Sequence, residues 1–126
     1  MMNIEAFKKA YNESRNGTDG WTRHPLAPYF VYSDGVKECA EAGCYWLLDI
    51  LGTELSKVFR THQAGFLMVI KVKVADGGAR IEGSFWDEEP PEYKRKVDYT
   101  DLPEGTWTFL VARGDGLLSC YLLTEH

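Results

Sequence analysis

The side chains of this chain that could do chemistry come first. Cys44 precedes Asp49 by five residues, and with one of His24, His62 or His126 the pair would make a thiol nucleophile with a base. Cys44 also falls on the apolar stripe of a helical pattern, where cysteine acts as a small hydrophobe and its thiolate is disfavoured. Packing is the expected role. Asp98, Asp101 and Glu104 offer carboxylates for an acid–base pair or a cation, but they flank a Pro103-Glu104-Gly105 turn. Acidic residues at such turns cap and solvate the backbone. Asp76-Gly77-Gly78 is not a phosphate cradle, because no helix begins after it. Tyr45-Trp46 would stack on a base or sugar, yet the helical spacing sends Trp46 to the edge of the stripe and Tyr45 to solvent. No catalytic residue is expected.

Metal and cofactor chemistry find no pattern either. There is no Cys-x-x-Cys pair, and the three histidines do not fall at ligand spacing. Cys39 and Cys44 sit on different sides of a helix, poorly placed for a disulfide. With Cys120 they fit reduced thiols in a cytoplasmic protein. The start, MMNIEAFKK, has no apolar signal-peptide core. The longest apolar run, 65–70, is far below the roughly 20 residues that cross a bilayer.

Charge is the remaining chemistry. The net charge is −5, but residues 34–55 hold five acids against one base and residues 87–126 nine against four, whereas residues 56–86 hold five bases against two acids. The Asp87-Glu88-Glu89-Pro90-Pro91-Glu92 run is acidic and stiffened by proline, either a solvated turn or a mimic of phosphate charge. Lys94, Arg95 and Lys96 neutralise it locally. Asp87, Glu88, Glu89 and Glu92 are one candidate partner-binding set; Glu38, Glu41 and Asp49 form a second acidic face. The expected partner surface is therefore basic. No basic stripe of the nucleic-acid-binding kind is seen along the chain, so no direct nucleic-acid contact is expected.

The elements that position these residues centre on one helix. Val36, Ala40, Gly43, Cys44, Leu47, Leu48, Leu51 and Leu55 recur every three or four residues and make one buried stripe over 34–55. Ser33 caps it, and Asp34 suits its positive end. Lys37, Glu41, Tyr45, Asp49 and Gly52 fall opposite. Gly43 allows a close approach or a kink. A short helix follows Asn3 and stops at Asn16-Gly17, residues 16–28 are turn-rich with an exposed Trp21, and Tyr29–Tyr32 leads into the central helix. Beyond Leu55 the period becomes two. Phe66, Met68, Ile70, Val72 and Val74 share one strand face, and further strands run over 81–86, 93–99, about 107–111 and 117–123. This predicts a single α+β domain over 1–126: an antiparallel meander of four to five strands, covered on one face by the central helix.

The blocks YSDGVKECAEAGCYWLLDIL, V-x-DGGA-x-I, VDYTDLPEGTWTFLV and LLSCYLLTE, in that order, resemble a family of short proteins of unknown function, frequent in bacteriophage, prophage and mobile-element genomes. The resemblance spans roughly 29–124. It implies a phage or mobile-element setting and a small α+β fold, and supplies no catalytic motif. The expected function is a non-enzymatic acidic module in the bacterial cytoplasm that binds and inhibits a host nucleic-acid-handling or defence complex, as anti-CRISPR proteins do. The alternatives are a structural, self-associating protein, a homodimer for example, using a sheet edge with Trp21 or Trp86, and a small-ligand binder or enzyme with a site near residues 16–28.

Overall fold

The computed structural model describes residues 2–13, 20–86 and 90–125. Helix α1 (Ile4–Glu13) starts as expected: Asn3 Oδ1 accepts the Ala6 N–H at 3.0 Å. Its proposed stop at Asn16-Gly17 lies outside the described residues. Strands β1 (Trp21–Arg23) and β2 (Phe30–Ser33) follow. β2 corrects the reading of Tyr29–Tyr32 as a mere lead-in. It pairs on both edges, and all four of its residues are buried, so its faces show no alternation to read.

The central helix exists in two pieces. Helix α2 (Asp34–Cys39) is capped by Ser33, whose Oγ accepts the Val36 N–H at 3.2 Å. One wide turn (Ala40–Cys44) joins it to α3 (Tyr45–Thr61), with Gly43 at φ +133°. Gly43 supplies both things expected of it. Its φ kinks the helix, and the Met2 backbone comes so near that a Cβ there would lie 2.7 Å from Met2 Cα. α3 runs to Thr61, past the expected end at Leu55. Val58 and Phe59 extend its apolar face, and Arg113 satisfies the carbonyls at its end.

The strands after α3 are β3 (Leu67–Ala75), β4 (Gly78–Ser84), β5 (Tyr93–Val97), β6 (Gly105–Gly114) and β7 (Leu117–Leu122). Both tight hairpins turn on Asp-Gly. Asp76 and Gly77 lie at φ 54° and 78°, Asp115 and Gly116 at 53° and 74°, the pair of positive angles that matches strand twist. Phe66, expected on the inner face of β3, precedes the strand and is exposed.

The fold class is α+β. The sheet has seven strands in the order β1-β2-β7-β6-β3-β4-β5. The meander needs correction: after β5 the chain returns to lay β6 antiparallel to β3, and β2 joins β7 in parallel. Sheet alternation assigns the faces. Met68, Ile70, Val72, Ile81, Phe109, Val111, Leu118, Cys120 and Leu122 point inward and are buried with Leu47, Leu48, Leu51 and Leu55 of α3. α1 covers the same face, with Phe7 and Tyr11 edge-on to Trp107, each at 5.0 Å. Gly52 is corrected too. It is buried, against His24 and Ala27, which the loop before β2 lays over α3.

Candidate binding surfaces

Each acidic residue proposed for recognition has a definite place. Glu38 of α2 and Glu41 of the wide turn are exposed and, with Glu13 and Lys9 of α1, border a groove of about 550 Å³ between the two helices. Asp49 is held elsewhere. Its Oδ1 accepts from His24 Nε2 at 2.8 Å, while His24 Nδ1 accepts the Leu26 N–H at 3.1 Å. A bare Nδ1 places the ring proton on Nε2, so the buried His24 ties the 24–30 loop to α3. Glu41, Tyr45 and Asp49 also bear on Tyr32, whose hydroxyl is held above its usual range first by burial and then by those three groups. Glu92 Oε2 lies 3.0 Å from His62 Nε2, and its N–H donates to the Gly83 carbonyl at 2.8 Å. Asp87, Glu88 and Glu89 lie outside the described residues.

The thiols are structural in placement. Cys39, Cys44 and Cys120 are all buried and unbridged. Burial, with a smaller push from Asp101, raises Cys44 to about 12, and burial raises Cys39 and Cys120 further. The Cys44 S–H donates to the Cys39 carbonyl at 3.1 Å, and Asp49 and His24 are bonded to one another. Asp101 accepts the Met2 N–H at 3.0 Å, while Asp98 stands exposed 3.9 Å from Lys96. Among the described residues no three His, Cys, Asp or Glu side chains converge to hold a metal ion.

Near residues 16–28, of which 16–19 lie outside the described residues, His24 and Ala27 are buried while Trp21 and Leu26 are exposed. A groove of about 330 Å³ beside this segment is bordered by Tyr29, Ser56, Arg60 and Arg113. The Tyr29 hydroxyl donates to the Gly52 carbonyl at 2.7 Å, and Arg113 is engaged by carbonyls at the end of α3. Tyr45 is exposed and Trp46 half-buried, as the helical spacing required.

A family model matches residues 7–126. The chain belongs to DUF6876, a family of unknown function. No curated protein and no solved structure matches it. What this DUF6876 chain can do must therefore come from its surfaces. The outer face of its sheet shows one feature absent from the linear charge pattern. Lys71 and Lys73 of β3, Arg80 of β4, and Lys94 and Lys96 of β5 alternate outward, while Arg95 points inward to Glu54 of α3. Glu82 is the one acid among these outward side chains. Lys73 donates to it at 2.9 Å, which with the charges of Lys94 and Arg80 holds its carboxyl below the usual range. The signal was present as alternation within each strand, but pairing β3 with β4 and β4 with β5 brings the charges together. No helix of the described residues is long and apolar enough to cross a membrane.

Proposed function

We propose that this chain is a non-enzymatic binding module that docks, through the acidic groove between α1 and α2, on a basic surface of a host protein complex. The observation that supports the reading is the groove itself: Glu13, Glu38 and Glu41 border it against a single base, Lys9. Such a one-sign concavity favours a cationic partner and speeds its approach. The buried thiols, held protonated, favour binding over thiol chemistry. On this reading the setting is a bacterial cytoplasm, the gene belongs to a phage or mobile element, and the host complex handles nucleic acid or defends against it. The sequence blocks carry that setting. The self-associating alternative is opposed at one sheet edge, β5, whose Lys94 and Lys96 resist strand addition; the other edge, β1, is three residues long and carries the exposed Trp21.

The test compares the native chain with Glu38→Lys/Glu41→Lys. Both chains are used to capture complexes from host lysate, and association with the captured complex is timed at two salt concentrations. The reading expects a stoichiometric complex whose on-rate falls with salt and falls further on reversal. An on-rate indifferent to the reversal at low salt would sink it.

A further inference from the structure

The outer face of the sheet holds a cationic arrangement that costs stability. Lys73, Arg80 and Lys96 are direct cross-strand neighbours on β3, β4 and β5. Adjacent strands lie about 4.8 Å apart, and like charges set opposite one another are destabilising. Among the described residues Glu82 sits within the block, bonded to Lys73, and Asp98 stands at its border, 3.9 Å from Lys96. Arg80, Lys94 and Lys96 are exposed, and with Lys73 they border or adjoin a depression of about 480 Å³ whose rim carries Asp76 and Asp98. Even with Lys73 bonded to Glu82 and Lys96 3.9 Å from Asp98, the cluster of Lys73, Arg80, Lys94 and Lys96 is a local cationic excess, in a chain of net charge −5, that an anionic ligand would relieve.

The same face has an aromatic end. Phe85 packs onto Phe59, with ring centroids 5.2 Å apart, so alternation carried past the end of β4 directs Trp86, 56% exposed and with Phe66 edge-on at 6.4 Å, to the outward side. Arg80 lies on β4 and Trp86 two residues past its end, at most about 20 Å away at the usual strand rise. The geometry points to a single-stranded nucleic acid on this face, its phosphates on the cluster of Lys73, Arg80, Lys94 and Lys96 across β3, β4 and β5 and an unpaired base on Trp86. A cationic track with an aromatic platform is what strand binding without sequence preference requires. A duplex hides its base faces from Trp86, and a polyanion without aromatic groups, such as polyglutamate, has no π-face to offer it. This surface is opposite the helices, so the inference stands apart from the acidic groove. It revises the expectation of no direct nucleic-acid contact, which rested on charge read along the chain.

Anisotropy of a labelled oligo-dT strand titrated with the full chain tests it. Binding should weaken as salt rises, with a log–log slope of about −3 for four phosphate contacts. Lys73→Ala/Arg80→Ala/Lys96→Ala should lose at least about ten-fold in affinity and flatten the slope by about 2. Trp86→Ala should lose roughly five-fold or more with the slope kept. The substituted positions are exposed, and unchanged circular dichroism with a melting temperature no lower than that of the native chain would certify folding. Lys73→Arg/Lys96→Arg, which keeps the charge, should retain binding. No binding at low salt, binding indifferent to the triple substitution, equal binding of polyglutamate, or tighter binding of the matching duplex would each overturn the inference.

Discussion

The guanidinium of Arg113 lies 5.2 Å from the centroid of the Phe59 ring and donates to the Phe59 carbonyl. Its other nitrogen donates to the carbonyls of His62 and Gln63, each at 2.9 Å, and to that of Gly65. One side chain of β6 thus satisfies the carbonyl end of α3 and places a positive charge where the helix dipole is negative. Arg113→Ala should cost about 2–4 kcal/mol, since charge-assisted bonds to partly buried acceptors are lost together. Arg113→Lys, which keeps the charge without the planar fork, should recover about half. Denaturant unfolding of the three chains measures both.

Leu47 and Leu51 are fully buried at the centre of the helix–sheet layer. Either one cut to alanine should lower stability by roughly 2–5 kcal/mol, the range for buried leucines. Gly43→Ala should fail for a different reason. It strains a backbone at φ +133° and drives a methyl into Met2, so about 1–3 kcal/mol is expected from the strain. Deleting residues 1–3 should recover part of the Gly43→Ala loss and none of the leucine losses. Equal recovery in both would place Gly43 outside the contact with Met2.

The helix was legible because its stripe is continuous. Val36, Ala40, Leu47, Leu51 and Leu55 repeat at one helical period whether or not Gly43 breaks the axis, and the kink only needs a residue free to take positive φ. β2 was not legible, because Phe30–Ser33 is buried on both faces and resembles any short apolar run. The order of β6 was hidden as well. Nothing in the turn at Pro103 says that Trp107, Phe109 and Val111 return to β3 instead of extending beyond β5. The cationic row escaped for the same reason: Lys73, Arg80 and Lys96 are far apart in sequence and become neighbours only through strand register.

Alkaline pH should expose the buried thiols. In the native chain Cys39, Cys44 and Cys120 stay protonated well above the usual thiol value of about 8.5, whereas in the unfolded chain they ionise near it. Their contribution is therefore full below about pH 8 and is lost as pH rises, by about 1.4 kcal/mol per pH unit for each thiol ionised only on unfolding. Melting temperature should hold level to about pH 8 and fall above about pH 9. Cys44→Ala should make that fall shallower, and thiol reagents should label the native chain only as fast as it opens. Rapid labelling of a folded chain at neutral pH would restore a thiol-based activity to consideration.

The two charged faces should also be separable. Glu38 and Glu41 belong to the helical layer, and Lys73, Arg80 and Lys96 to the far side of the sheet. A helix layer stands about 10 Å from a sheet it covers, and the Debye length at physiological salt is about 8 Å. Glu38→Lys/Glu41→Lys should thus abolish the protein docking while leaving oligonucleotide affinity within about two-fold at physiological salt, with a modest gain at low salt. The alanine triple on the sheet should do the reverse. Reversal of Asp87, Glu88 and Glu89 adds a third arm: they follow Trp86 directly, so lysines there should tighten strand binding. Arg95 is not to be grouped with the outward lysines in any arm, since it is bound to Glu54 and its loss would loosen α3. A reversal at Glu38 and Glu41 that weakened both kinds of binding equally would mean one shared surface, and the assignment of two faces would fall.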